Sequence, residues 1–472
     1  MDFYKFSCGG WMKRNSIPPD QAAWSVYAKL GNDNEQFLWG ILADDAKATQ
    51  RTAVQQKVGD YFESCMDTAA IDAAGLKPLQ PELARLEALG TREQLLAALP
   101  PLDHNTPGNY FYRVGTEQDA VDASKVIVGV SAGGLGLPDR DYYLKTDAES
   151  VKLREQYRAY VEKLLSMSGE SQETAATDAD AVLRIETKLA EAQLTRVDMR
   201  DPHKTYHLTP VSGLAGMTPA VAWTQVLANN GAAGVTTLNV AQPAYMQRVQ
   251  AELTSEPVPA LKAYLRFHLL SDLSHYLPTP FRQANFDFYG KTLRGIDQEP
   301  PRWKTCVRAV DNNLGEALGQ EFVARTFTAD MKARTELMTG QIEQEMGSEI
   351  QALDWMSPAT KAEALRKLHA IRNKVGYPAH WRDYTAMSVK RDDYFGDEMG
   401  AYRFEQARQW AKLGKPVDLN EWGMTPPTVN AYFNPQMNDI NFPAGVCSRH
   451  SMIRRSTMRR TMATPGRRSG MS

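Results

Sequence analysis

Val429-Asn430-Ala431-Tyr432-Phe433-Asn434-Pro435, followed by Asp439-Ile440-Asn441-Phe442-Pro443-Ala444-Gly445, is the stretch that decides the fold. Two short extended runs, Val429–Phe433 and Asp439–Phe442, flank Asn434-Pro435. An Asn side chain bonds its own backbone two residues on and Pro fixes φ, so the pair starts a turn. The stretch reads as a small hairpin on a chain whose other patterns are helical. Leu153, Tyr157, Val161 and Leu164 recur at helical spacing, as do Met338, Ile342, Met346, Ile350 and Leu353. Each set predicts an amphipathic helix, and the methionine stripe reads as gap-filling in a helical core rather than as a metal or partner face. Other strand signals are sparse: Val126-Ile127-Val128 before Gly129, and Phe286-Asp287-Phe288-Tyr289. The expected fold class is mainly α with a small β component.

Working outward, 472 residues of which 43% are hydrophobic and 23% charged describe a globular protein with material for two or three domains. Mean hydropathy is -0.45, and no apolar run is long enough to span a membrane. Met1 to Trp11 carries no basic leader followed by an apolar stretch, so no signal peptide is read. Ordered-looking Asp2-Phe3-Tyr4-Lys5-Phe6 points to a start further upstream. The net charge of -2 is uneven, because residues 447–472 hold seven arginines and no acidic residue. A basic tail on an acidic body is one pattern of nucleic-acid binders.

Eight histidines are the first candidates for a metal. His203 and His207 stand four apart, the spacing of two imidazoles on one helical face. However, Lys204 follows His203 where a general base would stand, and Pro202 and Pro210 bracket the pair, so a loop is expected. His268 and His275 sit in an apolar stretch and read as core or rim histidines. Gly133-Gly134-Leu135-Gly136 runs into Leu137-Pro138-Asp139-Arg140 and reads as a turn, not a phosphate cradle. No nucleophile elbow, nucleotide loop or dinucleotide fingerprint is present. Four cysteines, Cys8, Cys65, Cys306 and Cys447, lie far apart without a C-x-x-C pair.

Several of these segments, in order, resemble the neprilysin-like zinc metalloendopeptidases, the family of neprilysin and endothelin-converting enzyme. They are Asp2-Phe3-Tyr4 with Cys8-Gly9-Gly10-Trp11, Tyr61-Phe62-Glu63-Ser64-Cys65-Met66-Asp67, Leu135 to Tyr143, Arg302-Trp303-Lys304 before Cys306, Lys374-Val375-Gly376-Tyr377-Pro378, and the opening stretch. The resemblance covers residues 2 to 446. It implies a helical cap domain over a thermolysin-like catalytic domain, with a closed cavity that admits short peptides. Residues 1–64 would contribute to the two-domain core, 65–375 would form the cap, and 376–446 would begin the catalytic domain. Asn430, Ala431 and Tyr432 would bind substrate, which pairs with this segment as an added strand. Cys65 would pair with Cys306, and Cys8 with a cysteine in the family's C-terminal third. The family works outside the cytoplasm, as a periplasmic, secreted or membrane-anchored protein. Ala23 and Gly31 stand where some relatives carry arginines that hold a substrate carboxylate, which argues against a dipeptidase-like preference.

After Val446 the family runs on as L-Q-P-P-F, then N-Y-G, then I-G-H-E-x-x-H, whereas this chain gives Cys447-Ser448-Arg449-His450-Ser451. Reading the tail codons one frame over permits, in register, L-Q-P-P-F-Y-D-P at 447–454, D-D-A at 457–459, N-Y-G at 461–463 and I-G-H-E at 469–472. Met452-Ile453 forces an Asp codon and Met462-Ala463 a Gly codon where the family wants them. The tail at 447–472 is therefore expected to be a frame-shifted, disordered product with no nucleic-acid partner. The intact family uses zinc, held by two histidines and a later glutamate; none is expected bound to this chain, and no catalytic residue is assigned in it. The expectation is an incomplete metalloendopeptidase, inactive alone. The rivals are a non-catalytic peptide-binding or scaffolding protein, and an enzyme half complemented by a separate C-terminal piece.

Overall fold

The computed structural model describes residues 2–447. The expectation of a shifted, disordered tail from Ser448 onward lies outside the described residues. Cys447, the first residue of that tail, closes a short helix, Ala444–Cys447, and is buried. The fold is mainly α with a small β component, and it divides into two compact units that are each discontinuous in sequence. Unit 1 takes Met1–Met66, Pro300–Arg391 and the chain from Asp418; unit 2 takes Asp67–Glu299 and Asp392–Val417. The segment expected as one cap, 65–375, is thus shared between them, its last part grouping with the N-terminal helices.

Unit 2 is built on long helices whose starts are written in the sequence. Asp147 accepts from the Ser150 N–H at the head of Ala148–Met167, and Ser171 accepts from Thr174 at the head of Gln172–Ala192. Tyr157, Val161 and Leu164 are buried on the first of these and Leu153 partly so, as their spacing predicts. With Val258–Leu273 these helices enclose one apolar core. A four-stranded sheet joins β1 (Tyr112–Gln118), β2 (Val126–Ala132), β3 (Leu208–Pro210) and β4 (Thr237–Val240) in the order β1-β2-β4-β3. β1 and β2 are antiparallel, β2 and β4 parallel, and β3 and β4 antiparallel.

Phe286–Tyr289 is not a strand. It opens a wide helical segment, Phe286–Thr292, continuing the helix Thr279–Asn285. Packing overrides the local alternation: the Phe288 ring stacks on Tyr160 at 5.2 Å, and the Tyr289 hydroxyl donates to Gly136 O at 2.9 Å.

The glycine turn 133–136 is held by aromatic hydroxyls. Tyr245 donates to Gly133 O and Tyr264 to Gly134 O, at 2.8 and 2.9 Å. Beside it, fully buried Glu186 accepts from the hydroxyls of Tyr157 and Tyr143, both at 2.9 Å, and from the Gly136 N–H at 3.2 Å. His268 Nε2 lies 2.9 Å from the same carboxylate, out of line for a hydrogen bond. His268 is thus a core residue of Val258–Leu273, whereas His275 falls in the next, separate turn, Ser274–Tyr276.

In unit 1 the helices Val26–Lys47, Ala53–Met66 and Arg302–Thr326 pack together around Leu38, Leu42, Val58, Tyr61, Val310 and Phe322. A disulfide joins Cys65 to Cys306, with Cα atoms 5.6 Å apart; Cys8 and Cys447 are free. By the loop-closure argument a cross-link spanning 241 residues contributes roughly 2–5 kcal/mol.

The methionine stripe is not core. On Ala329–Ala352 only Met331, Thr335 and Thr339 are buried, while Ile342 is 59% and Met346 45% exposed. The elements packed on this helix are chiefly Pro358–His369 and the strand Arg372–Gly376, which leave its apolar side open. Periodicity fixed the face; it could not supply a layer to cover it.

Burial pushes the Asp311 carboxyl in Arg302–Thr326 up to about 6, a rise that a hydrogen bond with Thr425 partly opposes. The folded pKa lies above the ordinary 3.8, so this group's contribution is fully present below pH 4 and is lost as pH rises through 6. Asp311→Asn is expected to raise stability at pH 8 by about 1–3 kcal/mol and to leave it nearly unchanged at pH 4. Urea unfolding at the two pH values checks this, and an equal effect at both would contradict it.

Candidate substrate-binding strand

Three strands form the sheet of unit 1: β5 (Arg372–Gly376), β6 (Tyr432–Asn434) and β7 (Asp439–Pro443), in the order β5-β7-β6. β5 and β7 run parallel, Arg372 opposite Asp439 through Gly376 opposite Pro443. β6 and β7 are antiparallel, pairing Tyr432 with Asn441, Phe433 with Ile440 and Asn434 with Asp439. The hairpin turn forms as its residues dictate. Asn434 Oδ1 accepts from the N–H groups of Gln436 and Met437 at 3.0 and 3.2 Å, and Asn438 takes a left-handed φ of 49°.

β7 alternates, with Asp439, Asn441 and Pro443 buried. The buried side carries a polar lock. Lys374 Nζ pairs with Asp439 Oδ2 and donates to Glu421 O at 2.7 Å, and Asn441 Nδ2 donates to Asp439 Oδ1 at 2.9 Å. Gly445 then comes so close to the preceding turn that a Cβ there would sit 2.2 Å from Pro427 O. The sheet is therefore anchored from behind, and β6 is one of its two edge strands among the described residues.

Val429 is a bend rather than strand, and β6 starts only at Tyr432. Asn430 is exposed immediately before it, and Asn430 Oδ1 accepts from the Ala431 N–H at 2.8 Å. The Tyr432 hydroxyl accepts from the Gly423 N–H at 2.7 Å, which ties the strand to the preceding loop, while Phe433 is 49% exposed. Asn430 and Ala431 thus lead directly into β6, which begins at Tyr432.

The two histidines do not share a helix. His203 lies in a single helical turn, Pro202–Thr205, with its N–H capped by Asp201, and His207 Nδ1 is 3.1 Å from Val240 O. Among the described residues no group of three or more His, Cys, Asp and Glu side chains is arranged to hold a metal ion. These residues therefore do not fit a zinc site, and no chemical step through zinc is assigned to them.

The family model for the N-terminal part of peptidase family M13 matches residues 1–378. The chain belongs to peptidase family M13. Among relatives of this M13 chain, an endothelin-converting enzyme homolog of Locusta migratoria is 28% identical, over 94% of this chain and 64% of that protein. Human endothelin-converting enzyme 1 is 28% identical, over 94% and 60%. The zinc metalloprotease Zmp1 of Mycobacterium tuberculosis superposes with a TM-score of 0.88 at 32% identity, covering 94% of this chain and 68% of that one. PepO of Lactobacillus rhamnosis gives 0.87 at 26%, covering 94% and 70%. The M13 chain thus spans about three fifths of the length of the curated relatives it matches. No helix among its described residues is long and apolar enough to cross a membrane.

Proposed function

We propose that this chain is the peptide-holding part of a zinc metalloendopeptidase and does not hydrolyse peptides by itself. The observation that carries the reading is the β6 edge: a strand locked from behind by Lys374 and Asp439, with Asn430 and Ala431 exposed or half-exposed at its start. A short peptide would add as a further strand, its backbone bonding the edge and its alternate side chains facing Phe433 and solvent. Docking releases the Asn430 side chain from the Ala431 N–H, so that the amide side chain and the backbone of Ala431 both bond the peptide, and the side-chain bond is the one that Asn430→Ala removes. Zinc would come from the H-E-x-x-H helix and later glutamate of an intact family member, and the setting would be extracytoplasmic, in keeping with the buried disulfide.

A specific feature favours the reading in which a separate C-terminal piece completes the enzyme. The open apolar face of Ala329–Ala352, with Leu337, Ile342 and Met346, belongs to the same unit as the edge strand. A face of that kind gains by being covered.

Elemental analysis of the dialysed chain tests the proposal together with peptide binding. Well under one zinc per chain is expected, and a fluorescent short peptide should bind about fivefold more weakly to Asn430→Ala, roughly one hydrogen bond's worth. One tightly held zinc per chain, lost in a His203→Ala, His207→Ala double variant, would overturn the first part. Equal binding to both proteins would overturn the second.

A further inference from the structure

Unit 2 holds a cavity of about 810 Å³ that none of the foregoing uses, a volume within the range of small-molecule sites. It lies between the helix Gln80–Glu87 with the turn after it, the turn that follows Ala148–Met167, the start of Gln172–Ala192, and the helix Val258–Leu273. Residues three or four apart share a helix face, so Val258, Lys262 and Arg266 line it in successive turns, as do Gln80, Leu83 and Glu87 on the other side. Leu86, Leu89, Pro259 and Ala263 add apolar wall.

One carboxylate already sits between the two cations. Glu87 Oε1 lies 3.9 Å from Lys262 Nζ, and Glu87 Oε2 lies 3.5 Å from Arg266 Nη1. Both separations exceed the roughly 2.7–2.9 Å of a tight charge-assisted hydrogen bond. The Glu87 side chain is also 71% exposed, so it is held loosely and water competes for it. The cations are more enclosed, at 22% and 19%, and are fixed by other bonds. Lys262 Nζ donates to Glu87 O at 2.8 Å; Arg266 donates from Nε to Ser168 Oγ at 3.0 Å and from Nη2 to Ser168 O at 2.8 Å. An ammonium carries three donors and a guanidinium five, which leaves N–H groups on both for a better-placed acceptor. Two more carboxyls line the cavity: Glu170, with Oε1 3.6 Å from Arg266 Nε, and Asp178. Burial pushes both up, and Arg266 partly opposes the rise.

We propose that this cavity binds an aliphatic carboxylic acid, whose carboxylate takes the place of the Glu87 carboxylate between Lys262 and Arg266 while its chain lies on the apolar wall. The exchange leaves the charge of the cavity unchanged. Glu87 swings out to water, where a carboxylate is best solvated, and a group of the same charge enters. Negative charge added without that exchange would be opposed by Glu170 and Asp178. The chain has a surface to cover: Val258 and Pro259 stand one turn before Lys262 on the same helix, and Leu83 one turn before Glu87. Each methylene moved from water onto such a wall adds to binding. An alkyl ammonium meets the two cations as like charges, and an alcohol brings them no charge. The site stands whether or not the chain takes part in peptide cleavage.

Calorimetric titrations of the full chain at pH 8 with octanoate, octanol and octylamine test the proposal. Octanoate should bind about tenfold or more tightly than octanol, the value of a hydrogen bond to a charged group, and octylamine more weakly than either. Lys262→Gln should weaken octanoate about fivefold or more and leave octanol unchanged. Glu87→Gln removes the competing carboxylate at an exposed position, so it should tighten octanoate severalfold and leave octanol unchanged. A purely structural role for Glu87 gives no such gain. Thermal melts establish that each variant is folded; should Lys262→Gln not fold, Glu87→Gln decides. Failure of octanoate to bind the parent chain, equal binding of octanoate and octanol, tighter binding of octylamine, or a Glu87→Gln variant that binds octanoate no better than the parent overturns the proposal.

Discussion

Inserting one nucleotide near codon 446 is expected to turn a protein without measurable peptidase activity into a chelator-sensitive endopeptidase. In the restored frame the chain would continue from Val446 into L-Q-P-P-F and run through a complete H-E-x-x-H. That helix would supply two imidazoles one turn apart, a carboxylate between them as general base, and a later glutamate to close the metal site. A metal of this kind generates a nucleophile at neutral pH from bound water, and among the described residues no group of three or more His, Cys, Asp and Glu side chains is arranged to hold one. Enzymes typically exceed the uncatalysed rate by a factor on the order of a million or more, so the contrast between the two proteins is all or nothing in practice. Cleavage of short peptides, abolished by a chelator and restored by zinc, is the readout. A separately expressed C-terminal piece mixed with the present chain provides the second arm, and activity there would identify two complementing halves. Comparable cleavage by the present chain alone, or an early stop in the restored frame, would sink this reading.

Removing the Glu186 carboxylate should destabilise unit 2 by about 3–5 kcal/mol, in the range for breaking a buried network from one side. Glu186→Ala would strand two fully buried tyrosine hydroxyls and the Gly136 N–H at once, beside a histidine deprived of its neighbour. For a unit of this size the loss corresponds to a fall in melting temperature on the order of 10 °C. Glu186→Gln keeps one acceptor and turns the other into a donor that a hydroxyl oxygen can accept, so it should lose less than half as much. Calorimetry of the two variants checks the order. An alanine variant that melts with the parent would mean that the tyrosines find other partners, and the network would carry no stability.

Helices of this chain were legible because their signals are local. The spacing of Leu153, Tyr157, Val161 and Leu164, together with the capping residues Asp147 and Ser171, is carried by residues a few positions apart. The hairpin about Asn434-Pro435 was legible for the same reason, since Asn434 bonds residues two and three positions on. Phe286–Tyr289 misled because its alternation is real, yet its partners are Tyr160 and Gly136, more than a hundred residues away. The methionine stripe misled differently: periodicity says which residues share a face, not whether anything lies against it. Asn430, Ala431 and Tyr432 came to notice through a family resemblance and an extended pattern.

The disulfide also says something about the order of events in folding. Unit 1 is cut twice by the chain of unit 2, so its helices cannot meet until residues far apart in sequence have been made. Unit 2, by contrast, has most of its chain in one run, and domains tend to form as the chain emerges. Cys65 and Cys306 stand on either side of that run, and bringing them together unaided would carry the closure entropy of a long loop. A unit 2 already collapsed when Cys306 appears shortens the effective distance, because both ends of a compact insertion can be near one another while its contour is long. The covalent bond then works as a clasp that ties together the two flanks of the insertion.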